Sequence, residues 1–425
     1  MTWRNLVFAL FFTLCPALVS AQKKVSDEAL HRPTATPDRV ILTWAGDPAT
    51  SQAVTWRSDT SVKQALAEIA VADDGPKFTE SAKQVAAVTT MLKSDLGKAH
   101  YHSVKFEGLA PATLYAYRVG DGNNWSEWHQ FRTASRGAAP LTFLYVGDAQ
   151  NNILSLWSRL IRMGYAYAPM ANFIIHAGDL VNRANRDADW GEWFRAASWI
   201  NATIPSIPAP GNHEYFKAPE GSEITKHWRP QFTLPENGVP GLEETSYFLD
   251  IQGVRVITLN SNRNHKEQAE WMERVLANNP NKWTVATFHH PVFSTARGRD
   301  NKDLRAAWQP VFDKFGVDLV LTGHDHTYGR SNVTTGMGAR SEKAGTVYVV
   351  SVSGPKMYKL EKQDWMVSSA QDMQLFQVIR IDGDRLLYES RTARGLLHDS
   401  FELIKRPGKP NEIRNRKLEI TTQAK

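Results

Sequence analysis

The sequence predicts a β-sandwich N-terminal domain followed by an α/β domain of layered β-sheets flanked by helices. Three observations carry this expectation. Between residues 38 and 134, short β-branched and aromatic runs are separated by turn residues, without convincing helices. From about residue 140, strand-like apolar runs alternate with helix-like stretches. The chain of 425 residues is 42% hydrophobic, 10% aromatic and 22% charged, a globular composition that excludes collagen-like and wholly disordered classes.

Taken in order, residues 1–21 read as a secretory signal peptide. Arg4 precedes an apolar run from Leu6 to Val19, and Val19-Ser20-Ala21 fits a small-residue cleavage site. The run is shorter than the roughly 20 apolar residues of a spanning helix, so a cleaved signal is favoured over a membrane anchor. The expected location is therefore secreted or periplasmic. The single cysteine, Cys15, lies in this segment, so the mature chain would hold neither disulfides nor zinc-thiolate sites.

The sandwich is expected over 38–134. Val40 to Trp44, Ala53 to Trp56, His102 to Phe106, Leu114 to Val119 and Trp128 to Arg132 supply its strands. Trp44 and Trp56 read as core residues. The α/β domain is expected over 140–404, with helices near Leu154–Met163, Trp190–Ile200, Glu267–Ala277 and Leu304–Phe315. Residues 405–425, with seven Lys/Arg against two Glu, read as a basic disordered tail. The tail and the first segment together account for the net charge of +6, so no nucleic-acid-binding face is indicated.

The residues just past the apolar runs carry the chemistry. Phe143 to Val146 leads to Gly147-Asp148-Ala149-Gln150, and Phe173 to Ile175 leads to Gly178-Asp179. Ile204 to Pro210 leads to Gly211-Asn212-His213-Glu214. Trp283 to Phe288 leads to His289-His290-Pro291, and Val317 to Thr322 to Gly323-His324-Asp325-His326. Ligand sites of α/β sheets form at the carboxyl ends of strands. Singly, each motif has a plain structural reading as a cap, a turn or a satisfied histidine. Five in order at strand ends do not. On an extended segment His324 and His326 would point the same way and reach one place. Imidazole, carboxylate and amide oxygen without thiolate suit Zn, Mn or Fe. The donors exceed the three or four of one catalytic zinc. Two metal ions about 3.5–4 Å apart, sharing a carboxylate, would use them all for in-line phosphoryl displacement.

This order of motifs resembles the calcineurin-like metallophosphoesterases. Leu42-Thr43-Trp44, Val54-Thr55-Trp56-Arg57 and the stretch Gly108 to Gly120 resemble the fibronectin-type-III-like domain of purple acid phosphatases. The resemblance implies that Asp179 bridges two metal ions. Asp148 and His326 would bind the first ion, and Asn212, His289 and His324 the second. His213 would hold phosphate and protonate the leaving group, with Glu214 orienting its ring. The implied activity is hydrolysis of a phosphate ester by in-line attack of a metal-bound hydroxide. A phosphomonoesterase is favoured over a phosphodiesterase and over a non-catalytic surface-binding protein with a degenerate metal site.

Three departures from the pattern stand out. Purple acid phosphatases have a chromophoric tyrosine where this chain has Asn182, and many relatives have a histidine where it has Gln150. Gln150 or Asn182 is left to complete the first site, and Gln150 is favoured because it is two residues from Asp148. Water filling the gap is the other possibility. Where further histidines are common after His289, this chain has Arg297 and Arg299, which either bind phosphate or form a solvated basic loop. Arg330 is ambiguous in the same way.

Overall fold

Alternation of buried and exposed positions sets the first domain. A computed structural model describes residues 24–219, 221–335, 339–340, 345–406 and 408–416. The signal-peptide expectation lies outside these residues. In one antiparallel sheet the strands run Asp38–Thr43, Gln52–Ser58, Gly97–Phe106, Val88–Ser94. In the other the order is Lys83–Ala86, Leu66–Val71, Leu114–Gly120, His129–Arg132. Their inward faces meet in a core that includes Leu42, Trp56, Val104, Phe106, Tyr117 and Phe131. Trp56 thus sits where the sequence places it. Trp44 belongs instead to the core of the second domain, edge-on to Phe173 at 6.2 Å between ring centroids.

The strand Asp38–Thr43 is irregular. Its register against Gln52–Ser58 shifts between Asp38 and Ile41, and Arg39 takes a left-handed φ of 52°. Such a bulge re-aims one side chain. A non-glycine residue held there costs about 1–3 kcal/mol and persists only where its surroundings fix it.

The second domain stacks two seven-stranded mixed sheets. In the first, Ser206–Ala209, Phe173–Ala177 and Leu141–Val146 are parallel, and four antiparallel strands continue it from Leu375–Asp382 to Lys409–Asn415. In the second, Val254–Thr258, Trp283–Thr287, Leu319–Thr322 and Val347–Val350 are parallel. Parallel strands buried on both faces explain the unbroken apolar runs of the sequence. Helices Ser158–Tyr167 and Asp187–Ala197 serve the core shared by the two sheets. Helices His265–Ala277 and Lys302–Phe315 cover the outer face of the second sheet. Among the described residues no helix is long and apolar enough to cross a membrane.

The basic tail needs correction. Lys409–Asn415 is not disordered but forms an antiparallel edge strand on Leu397–Arg406. Two tail side chains converge on the buried carboxylate of Asp318, Lys405 Nζ and Asn411 Nδ2, each at 2.5 Å. Ile413 packs against the core. The pairing therefore neutralises a buried acid that the tail composition alone does not reveal.

Candidate metal centre

The parallel strands of both sheets end at one edge, and the loops leaving them interlock. Asp148 N–H donates to Gly178 O at 3.0 Å, and Gln150 N–H to Asp179 O at 3.1 Å. Across the sheets, His324 N–H donates to both carboxylate oxygens of Asp148, at 2.9 and 3.0 Å, and Gly323 N–H to His289 O at 3.0 Å. These approaches need glycine. A Cβ on Gly211 would collide with the Asp179 carboxylate, and one on Gly323 with that of Asp148.

Two groups of potential ligand atoms result, each with all atoms within 4.8 Å of one another. One holds Asp179, His289 and His324; the other holds Asp148, Asp179 and His326. Asp179 is common to both. His289 Nε2 is 3.1 Å from Asp179 Oδ2 and 3.1 Å from His324 Nδ1, while His326 Nε2 is 3.6 Å from Asp148 Oδ1. His324 and His326 thus face two adjacent groups rather than one place. The reason is local: both are left-handed, at φ 74° and 49°, so the extended geometry assumed from spacing does not apply. Asp148 and Asp179 are left-handed too, at 54° and 51°. Strain of this kind clusters at functional sites, where the surroundings over-determine it.

The histidines are aimed from behind. A carbonyl only accepts, so the nitrogen facing it carries a proton and the other nitrogen is the one able to offer a lone pair to a cation. His289 Nδ1 donates to Ala177 O at 2.9 Å and His326 Nδ1 to Lys356 O at 2.8 Å. In both rings this leaves Nε2 as the donor atom toward the acidic groups. His213 obeys the same rule, its Nδ1 donating to Asn182 O at 2.6 Å, with Nε2 3.9 Å from Asp179 Oδ2.

Electrostatics matches a cation site. Burial, together with the neighbouring Asp179, holds the Asp148 carboxyl well above its ordinary range. Asp179 is held below it: burial works against ionisation, but His289 prevails. His289 itself is pushed up to about 9, because the two aspartates outweigh its burial. Two carboxylates this close disfavour joint ionisation unless positive charge is present.

Glu214 requires a correction. It does not orient the His213 ring, which Asn182 O holds. Its buried carboxylate accepts from Gly211 N–H at 2.7 Å, Asp179 N–H at 2.9 Å and Val181 N–H at 3.3 Å. It therefore pins two motif loops together. Burial and Asp179 raise its pKa to about 8.

Gln150 reaches the centre. Its Nε2 is 2.7 Å from Asp179 Oδ2 and 3.1 Å from His326 Nε2, and its buried Oε1 has no hydrogen-bond partner. Asn182 contributes its backbone carbonyl to His213 instead. Asn212 is exposed and makes no hydrogen bond to either group among the described residues. Arg299 does not face the ligand atoms as an open phosphate clamp. Its Nη1 donates to His324 O at 3.0 Å, and its guanidinium lies 4.7 Å from the Tyr358 ring centroid. Arg297 is exposed. Arg330 is structural, in a buried pair with Asp399 at 2.6 Å.

Some site residues carry no sequence signal as ligands. Asp325, between the two histidines, accepts from Thr295 N–H at 2.6 Å and Ala296 N–H at 3.2 Å, and so fixes their turn. His290 Nδ1 pairs with Ser261 Oγ at 2.8 Å, and its ring centroid is 4.2 Å from that of His324. A cavity of about 600 Å³, lined by Asn212, His213, Tyr215 and Arg183 among others, gives access beside His213.

Residues 37–133 match the purple acid phosphatase N-terminal domain, and residues 141–328 match the calcineurin-like phosphoesterase domain. The chain is a purple acid phosphatase-like metallophosphoesterase. This metallophosphoesterase is 31% identical over 269 residues to an uncharacterized protein of Mycobacterium tuberculosis, covering 54% of this chain and 50% of that one. It is 26% identical over 336 residues to acid phosphatase type 7 of Homo sapiens, covering 71% of this chain and 72% of that one. The chain spans about half the length of the first of these relatives. Its fold is similar to that of a purple acid phosphatase from yellow lupin (Lupinus luteus) seeds, with a TM-score of 0.73, 20% identity, and coverage of 87% of this chain and 74% of that one.

Proposed function

We propose that this chain hydrolyses phosphate esters, with phosphomonoesters favoured, at a centre of two metal ions. The observation that carries the reading is that one carboxylate, Asp179, belongs to both ligand groups while His213 Nε2 stands beside it. The donor set fits metal ions: carboxylates and imidazoles face inward, and turning the Gln150 amide over would present its buried, unpartnered Oε1 in place of Nε2 to Asp179 and His326. Asp148, His326 and Gln150 would hold one ion, His289, His324 and Asn212 the other, and Asp179 both. Two divalent ions bound there would supply charge neutralisation of the phosphate and an activated water.

The chain's own residues do the rest. Asn182 O fixes the proton on His213 Nδ1, so Nε2 is the atom that exchanges a proton with the leaving oxygen. That ring is partly exposed, as a group that meets a substrate must be. Glu214 keeps the loops of Asp179 and His213 in register. Export, read from the Arg4 to Ala21 pattern, belongs to the same proposal.

The test is turnover of an aryl phosphate and a bis-aryl phosphodiester by the purified chain supplied with zinc, manganese or iron. Chelation should abolish hydrolysis and metal should restore it. Absence of turnover with every metal would defeat the proposal.

A further inference from the structure

We propose that the N-terminal sandwich is a working part of the catalytic site: through Arg39 and Arg57 it clamps Asp187, and so positions His213. The inference rests on the phosphoesterase reading above and extends it to residues outside the metal centre.

The loop from Asp179 to Asp187 links the two. Asp179 lies in both ligand groups, and Asn182 O receives His213 Nδ1. Asp187 begins the helix Asp187–Ala197. An acid at a helix start is ordinarily solvated and interacts with the free N–H groups there. Asp187 is buried, and its carboxylate faces the sandwich. Arg39 Nη1 and Nη2 donate to its two oxygens at 2.8 Å each, and Arg57 Nη1 adds a third contact at 3.3 Å. His227 Nε2 approaches at 3.3 Å from the catalytic domain. The sandwich also takes the backbone: Asp187 N–H donates to Asp95 Oδ1 at 2.8 Å.

Arg39 reaches Asp187 from a point where the strand register shifts and the residue itself is left-handed. Two unfavourable local features thus serve one contact. Stability alone is a poor reason for them, since apolar residues fill such a space as well or better than a buried ion pair. A bidentate guanidinium–carboxylate pair fixes distance and angle together. Glu214 holds the same loop at its other end, by Asp179 N–H and Val181 N–H. Asn182 lies between the two anchors. Arg39 and Asp187 are positioning residues: they touch no substrate and act through the carbonyl of Asn182.

A misplaced acid hurts only reactions that need one. In Asp187→Asn and Arg39→Lys, turnover of an alkyl phosphate should fall about tenfold, while that of an aryl phosphate with a good leaving group should fall less than about twofold. Metal content should stay at that of the unmodified chain. Arg330→Lys, in the buried pair with Asp399, is the control: it should lower the melting temperature without changing the alkyl-to-aryl ratio. Equal losses on both esters, or an unchanged ratio in both clamp variants, overturn the inference. So does failure of both clamp variants to fold, which would assign the pair to stability. An unmodified chain that hydrolyses neither ester defeats the functional reading itself, and this is visible before any variant is compared.

Discussion

His213 stands with Nε2 3.9 Å from Oδ2 of Asp179, and its other ring nitrogen is committed to the carbonyl of Asn182. The nitrogen left free to exchange a proton is thereby placed beside the carboxylate common to both ligand groups. His213→Ala is expected to keep its metals and to lose about a hundredfold in rate on alkyl phosphates. The loss should shrink on aryl phosphates, whose leaving groups need no proton. Rates on both, with metal content of the same sample, check this; equal losses would remove the acid role.

Asp179→Asn should cost at least one metal ion per chain and most of the activity. An amide is neutral and cannot offset the repulsion of two close cations. Metal analysis after gel filtration is the readout. Full occupancy with near-normal turnover would rule out a shared carboxylate.

Gln150 gives a prediction about metal retention and colour. Gln150→Ala is expected to weaken retention of one ion about tenfold, Gln150→His to strengthen it, and Asn182→Ala to leave it unchanged. No tyrosine stands at position 182 to donate charge to iron, so the iron-loaded protein should lack a purple band. Dialysis against graded chelator and a visible spectrum test both. A strong visible band, or metal loss from Asn182→Ala alone, would contradict the assignment.

Acid should destabilise the fold through histidines kept neutral. Burial lowers His176 to about 3 and His102 to about 4, the latter helped by His100. Unfolded, both titrate near their ordinary value of 6.5. The unfolded chain therefore binds more protons below that value, and stability falls as pH drops from 6.5 toward these folded values. The slope is at most about 1.4 kcal/mol per pH unit for each histidine. His176 Nε2 is buried without a partner. His176→Leu should thus raise the melting temperature and flatten the acid limb. An unchanged limb would mean that His176 is not a neutral buried group.

The two domains and the five motifs are legible in the sequence because each is local: an apolar run, then Gly with Asp, Asn or His. Asp148, Asp179, His289, His324 and His326 can be named from that grammar alone. The aim of the rings cannot, because it comes from backbone carbonyls of Ala177, Asn182 and Lys356, which no side-chain pattern marks. Glu214 misleads for a related reason: the family resemblance implies a partner for His213, while its carboxylate turns back to the N–H groups of Gly211, Asp179 and Val181. The strand Lys409–Asn415 is hidden by its charge, since the buried Asp318 to which its Asn411 donates, beside the cation of Lys405, lies about ninety residues earlier. Arg299 is legible as a cation near the site, not as the brace of the His324 turn.

The most direct test is a titration of the chelated protein with metal while turnover of an aryl phosphate is monitored. Hydrolysis is expected to stay low through the first equivalent and to rise to its full value with the second, because the two ligand groups share Asp179. Full activity at one equivalent, or none at two, would contradict a two-ion phosphoesterase.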